Sequence, residues 1–361
     1  MTDLHIQVRP TIEPFADLWP TLGSRRGGAH YIWQTSDVIA LWSATIGTAR
    51  RTSPVFMRVD WRGAPAMLLA LGIEQRRGAR VLTFLDGGVS DYNAPVIFPA
   101  AQAIGLSAAA LWRAIAEAAP PHDAAILEKM PAHVDGVANP LFALAETSAA
   151  APSGHVIPLG GGWDAFVAQR LHRPKDSRRK RRRLAEAGEV RFRIAESQAD
   201  IDRIFPVLIK QKTRRYLELN GADGFERPGY RRYFNEVTTQ LFTRGAVHLS
   251  ALEVGGEILA AHWGLIEGDR FYCLMLAHAE HDLARFSPGR LLVEELVAWS
   301  CAQGLKVFDL GVGDAEWKRL FQPTRLPLSH VATPANALGW TYLEARKLRD
   351  RLSRGREEQA A

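Results

Sequence analysis

The run Phe308-Asp309-Leu310-Gly311-Val312-Gly313-Asp314-Ala315-Glu316-Trp317-Lys318-Arg319-Leu320-Phe321 decides how this chain is read. Lys306 to Leu310 has the composition of a short strand, the Gly-Val-Gly that follows predicts a turn, and Lys318 then falls on a short helix. About twenty residues upstream stands Ser287-Pro288-Gly289-Arg290-Leu291-Leu292. There Ser287 is placed to cap a helix, Pro288 suits the first helical position, and Gly289 would let a ligand approach the backbone closely. The amides of Gly289, Arg290 and Leu291 would point outward from such a start. With the positive end of the helix dipole, and with Arg290 and Arg285 on either side, they make a phosphate site. The competing reading is an ordinary capped helix, because Ser-Pro-Gly begins many helices.

Outward from this pair of motifs the chain repeats itself. Val55–Val59, Ala66–Leu71 and Val81–Leu85 are apolar runs separated by Arg62-Gly63 and Arg77-Gly78. His248–Leu252, Ile258–Trp263 and Phe271–Leu276 are separated by Gly255-Gly256 and Glu267-Gly268. Each set predicts a three-strand meander. Each is followed by a helical pattern, Ala108–Ala119 or Leu291–Ala302, and by a short strand, Ala124–Glu128 or Lys306–Leu310. Two copies of one α/β unit is the economical reading. Ala, Ser, Pro and Gly crowd between Ala143 and Gly162, which places the boundary near Pro152.

The 361 residues leave room for two domains, and 47% hydrophobic against 23% charged residues describes a chain that buries a core. Cys273 and Cys301 lie in apolar stretches without metal-ligand spacing, so neither a disulfide framework nor a metal site is expected. The segment Met1–Pro20 carries Asp3, Arg9, Glu13 and Asp17, unlike a secretory signal or an anchor, and no stretch reaches a spanning length. A cytoplasmic protein, peripheral at the inner membrane surface at most, is expected. The net charge of +6 is concentrated, since residues 170–183 hold nine Arg or Lys against one Asp and the rest of the chain is slightly acidic.

Taken together, strand, helix start, amphipathic helix and the strand ending in Asp309 resemble the acetyl-CoA-binding core of the GNAT N-acyltransferases. Phe308–Asp314 with Glu316-Trp317-Lys318 looks like the Asp-x-Gly-x-Gly…Tyr-Lys signature of tandem GNAT-like proteins. These include the CelD/BcsL-like polysaccharide-associated acetyltransferases and, more distantly, the FemABX transferases. The likeness extends to Ser287-Pro288-Gly289, to Lys212 with Arg214 and Arg215, and to Ser90-Asp91-Tyr92, and it spans roughly residues 10–335. Two departures stand out. The glycine-rich phosphate loop is reduced to Gly289, and Trp317 replaces the common tyrosine, keeping an aromatic face and losing a hydroxyl.

The resemblance implies an α/β (α+β) protein of two tandem GNAT-like domains, each a mixed, mostly antiparallel sheet flanked by helices. The expected ranges are a degenerate domain over 1–152, a catalytic domain over 153–335 and a basic C-terminal helix over 336–361. It implies acetyl-CoA as acyl donor, no metal, and direct attack by the amine of an amino sugar or polysaccharide precursor. Arg285, Ser287, Gly289, Arg290 and Leu291 would bind the donor. Asp309 would orient or deprotonate the amine, with His278, Glu280 and His281 as substitutes, although an aspartate ending a strand before Gly-x-Gly also caps the turn that follows. Lys318 would meet an anionic acceptor or the oxyanion. Lys212, Arg214, Arg215, Trp317, Asp91 and Tyr92 would surround the acceptor.

Arg170–Arg183 lacks aromatic residues for base stacking, which disfavours specific nucleic-acid recognition. Its arginine forks could contact tRNA phosphates, an anionic membrane surface or a cyclic dinucleotide, or simply form a solvated helix gating the donor site. Trp340–Arg356 interleaves Trp340, Leu343, Leu348 and Leu352 with six Arg or Lys, and docking on the domain is expected. Three functions follow: an acyl-CoA-dependent N-acyltransferase, a Fem-like aminoacyl-tRNA-dependent transferase, and a non-catalytic nucleotide- or polyanion-binding scaffold. The absence of a long heptad insertion favours the first over the second.

Overall fold

Arg62-Gly63 and Arg77-Gly78 all have positive φ, the backbone of two-residue hairpin turns whose twist matches that of paired strands. They join β2 (Ser53–Trp61), β3 (Ala64–Arg76) and β4 (Ala79–Phe84), with β1 (Leu4–Arg9) antiparallel on β2. In this computed structural model, which describes residues 3–24, 27–144 and 152–360, α1 (Ala108–Ala118) then carries the chain over to β5 (Ala124–Pro131). Ser107 caps α1 by accepting from the Ala110 amide at 3.2 Å. β5 lies parallel to β4, pairing Val81–Thr83 with Ala124–Ile126.

The second unit repeats the order. After β6 (Gly154–Pro158) and the basic α2 (Pro174–Ala185) come β7 (Val190–Ile194), the long α3 (Gln198–Asn220) and α4 (Tyr230–Leu241). The meander β8 (Val247–Val254), β9 (Glu257–Glu267) and β10 (Arg270–His278) turns at Gly255-Gly256, both at positive φ, and at Gly268. α5 (Pro288–Ala302) leads to β11 (Val307–Val312), and β12 (Thr324–Leu326) closes the sheet, whose order is β7-β8-β9-β10-β11-β6-β12. α5 buries Leu291, Leu292, Leu296 and Val297 in a core with Phe271 and Phe308, whose rings stack 5.0 Å apart.

The junction of β10 and β11 positions the site. The two run parallel and pair only over Arg270–Tyr272 with Val307–Asp309, while β11 takes β6 on its other side. Past Tyr272 and Asp309 no ladder joins them among the described residues, so the outer half of β10 presents backbone groups to a gap.

Each unit is thus a mixed, mainly antiparallel sheet flanked by helices, as the repeat predicts. The C-terminal limits differ from expectation. β13 (Leu328–Pro334) pairs antiparallel with β5, and α6 (Ala337–Ala360) adds Leu343 to a cluster with Ala79, Val81, Ala124 and Ile126. The chain therefore divides into Met1–Ala151 with Pro327–Ala361, and Pro152–Leu326. Residues 327–335 complete the first sheet, covering a β5 edge that would otherwise expose unpaired backbone groups, and 336–361 is not a separate tail. No described helix is long and apolar enough to cross a membrane.

Candidate active site

A cavity of about 510 Å³ opens in the second unit where β10 leaves β11. Leu276, Ala277 and His278 of β10 line it with Pro288-Gly289-Arg290 at the start of α5, Gln211 and Lys212 of α3, and Trp317. Gly289 faces this space: a Cβ there would rest 3.9 Å from both His278 and Leu276, an ordinary contact, and anything larger would project into the cavity. The amides of Gly289 and Arg290 meet no acceptor among the described residues, whereas that of Leu291 already donates to the Ser287 carbonyl at 3.2 Å. The start of α5 therefore offers two amides, and Leu291 is a core residue at 1% exposure.

Three other donor-site expectations change. Ser287 occupies the cap position with a left-handed backbone and caps nothing with its side chain, its hydroxyl instead accepting from Lys180 Nζ at 3.0 Å. Arg290 turns its guanidinium away from phosphate duty, because Nε donates to Glu294 at 2.9 Å and another nitrogen to the His172 carbonyl. Arg285 is exposed over the Phe286 ring and does not line the cavity.

Asp309 and Lys318 do not reach the cavity either. Asp309 is fully buried, accepting from Arg270 at 2.8 Å and, through its other oxygen, from the Gly311 amide at 2.8 Å. It neutralises a partly buried guanidinium and holds the glycine turn, which is the capping role weighed against catalysis. Lys318, 5% exposed, donates to the carbonyls of Gly311 and Val312 at 2.9 and 3.1 Å, so its ammonium braces the end of β11.

The α3 wall of the cavity is cationic, and its charges differ in how they are answered. Arg214 pairs with Glu218 at 3.1 Å and Glu280 at 3.5 Å and donates to the His278 carbonyl, and Arg215 pairs with Glu218 at 3.2 Å. Lys212 has no carboxylate partner among the described residues and sits 5.3 Å from the Tyr216 ring centre. Burial pushes its pKa down, Cys273 opposes the shift and Arg215 adds to it. His278 is exposed at the rim, with Glu280 and His281 farther along the same loop paired to Arg214 and Glu257.

Asp91 and Tyr92 belong to the first unit. Tyr92 is fully buried in the first unit against Tyr31 and Trp33, because Asp86 gathers the loop by accepting from the amides of Gly88 and Ser90 and by pairing with Lys129 at 2.6 Å. Asp91 belongs to the same loop. The basic block forms most of α2, partly neutralised by Glu295 of α5, which pairs with Arg181, and within the helix by Asp176, which pairs with Lys180 at 3.2 Å; Ser177 donates to Glu294 of α5 at 2.6 Å.

Several groups escaped sequence reading. Arg270 follows a turn and gives no sign of its partner 39 residues on, which only the parallel pairing of β10 and β11 supplies. His155 and Asp314 meet at 2.9 Å beside a second cavity of about 450 Å³. Burial raises the Asp314 carboxyl, and the hydrogen bond and charge of His155 with the charge of Arg325 more than offset it. His248 and His262 are buried side by side in strands β8 and β9, their ring nitrogens without partners. No group of His, Cys, Asp and Glu that could hold a metal occurs among the described residues.

Residues 172–319 match the family described as Acetyltransferase (GNAT) domain. No curated protein matches the chain. Among solved structures, FemX is 13% identical with a TM-score of 0.61, over 94% of this chain and 100% of that one. A Bacteroides thetaiotaomicron protein of unknown function is 14% identical with a TM-score of 0.52, over 91% of this chain and 100% of that one. Such distant likenesses concern the fold alone. Within the second unit, residues 172–319 are thus similar to the GNAT acetyltransferase domain, and the chain resembles FemX in fold.

Proposed function

We propose that the chain is an N-acyltransferase that moves an acetyl group from acetyl-CoA to an amine of an amino sugar or polysaccharide precursor, in the manner of the CelD/BcsL-like acetyltransferases. The supporting observation is the pair of amides at Gly289 and Arg290, without acceptors among the described residues, at the mouth of a cavity bordered by the half of β10 whose edge toward β11 is open. These groups suit the donor: two amides and a helix dipole for a pyrophosphate, and a free strand edge for an amide-bearing arm. Acetyl-CoA would supply an activated thioester. The chain's part is to hold it, to exclude water with Leu276, Trp317 and Phe321, and to draw an anionic acceptor toward Arg214, Arg215 and Lys180. The reaction is placed in the cytoplasm.

A second reading, with aminoacyl-tRNA as donor, draws on α2, where Arg178 and Arg182 lie one turn apart, exposed and without carboxylate partners among the described residues. The same arginines would serve an anionic membrane surface or a cyclic dinucleotide. The experiment that separates the donors is free-thiol release from acetyl-CoA across amino sugars, nucleotide-linked amino sugars and amino acids, run beside transfer from charged tRNA.

Donor binding can be tested before the acceptor is known. Acetyl-CoA at about 100 times its Kd should stabilise the protein by about 2.7 kcal/mol, visible as a raised melting temperature. Gly289→Trp should abolish that shift without changing the ligand-free melting temperature, while Gly289→Ala, whose Cβ fits, should keep it. A full shift in the tryptophan variant would sink the assignment.

A further inference from the structure

Among the cations lining the cavity, Lys180, Arg214, Arg215 and Arg290 each pair with a carboxylate, to Asp176, Glu218, Glu218 and Glu294. Lys212 lines the same cavity and pairs with none. We propose that Lys212, which lines the donor cavity beside Tyr216 and has no carboxylate partner among the described residues, is the group that takes the proton from the attacking amine.

The proposal rests on the acyl-transfer reading and fills the place that Asp309 vacates. A lysine can accept a proton only if it stands uncharged, and its surroundings favour that form. From its own helix face Arg214, Arg215 and Tyr216, from β10 Cys273 and His278, from α2 Lys180, and from α5 Arg290. Burial disfavours a further ammonium here and Arg215 repels it, while Cys273 acts in the opposite sense and the other cations are each held by a carboxylate. Burial and Arg215 accordingly hold Lys212 below the ordinary lysine range.

In the step itself the neutral acceptor amine forms the N–C bond as the thioester C–S bond breaks. The proton shed by the acceptor nitrogen passes to Lys212 Nζ and from there to the departing sulfur, which leaves as a thiol and returns Lys212 to its starting state. An anion anchor would instead need Lys212 charged.

Arginine distinguishes the two roles, since it binds anions and cannot give up its proton. With the acceptor identified by thiol release, Lys212→Met and Lys212→Arg should both lower kcat by about 100-fold or more while keeping the acetyl-CoA melting shift. An arginine variant with kcat near that of the parent would overturn the proposal. A second measurement needs no acceptor. Trace labelling of the full-length protein with acetic anhydride between about pH 6 and pH 10, read by peptide mass spectrometry, should show Lys212 reacting at lower pH than the other lysines. Titration of Lys212 together with the surface lysines would overturn the proposal even if acetyl-CoA proves to be the donor. Absence of an acetyl-CoA shift in the parent protein would count against the donor reading alone.

Discussion

Asp309→Ala should destabilise the second unit by about 3 kcal/mol, because it removes the fully buried carboxylate that answers the Arg270 guanidinium, 16% exposed, and the Gly311 amide. In thermal melts the transition of this unit should move down by roughly 10 °C, with any loss of turnover following the loss of folded protein. Asp309→Ala with Arg270→Met should recover part of the loss, since no buried charge is then left unpaired. A catalytic aspartate would behave in the opposite way, with Asp309→Asn keeping its melting temperature and losing turnover. That outcome would return Asp309 to the chemistry.

The second large effect is acid sensitivity. His248 is 4% exposed and His262 fully buried, packed against Trp299 and Phe271, and burial pushes His248 down to about 3 and His262 well below its ordinary value, with His248 adding to the latter shift. The unfolded chain binds protons at both imidazoles below about pH 6.5, while the folded chain refuses them. Stability is therefore fully present above that pH and falls as pH drops toward about 3 for His248 and further for His262. At pH 5 the pair should remove about 4 kcal/mol relative to pH 7.5, read as a lower urea midpoint. Replacing one of them, as in His262→Leu, should halve that loss. An unchanged pH dependence in both single leucine variants would show that water reaches the rings.

The repeat was legible because it is written in local terms. Glycine pairs demand positive φ, apolar runs of strand length lie between them, and Ser107 or Pro288 marks a helix start. Those signals involve neighbours in sequence, so the meanders, α1, α5 and β11 follow from composition and spacing. Gly289 was legible for the same reason. The roles of Asp309, Lys318 and Arg290 were not, since each is set by a partner brought near in space: Arg270 across the parallel strands, the carbonyls at the end of β11, and Glu294 with the His172 carbonyl. A motif specifies which residue types stand together, and burial decides whether they do chemistry or hold the motif's own shape. Tyr92 makes the same point, its ring buried among the other aromatics of the first unit.

From sequence alone this protein is a tandem α/β chain with a helix start fit for phosphate beside a strand-turn signature, because hydrophobic period and backbone preference act over a few residues. Tertiary structure decided that two amides rather than three are free, that Asp309 and Lys318 are braces, and that residues 327–360 complete the first unit. It also decided that, among the described residues, Lys212 is the cavity-lining Lys or Arg with no carboxylate partner. Charge pairing and desolvation depend on distances across the fold, and no spacing along the chain encodes them.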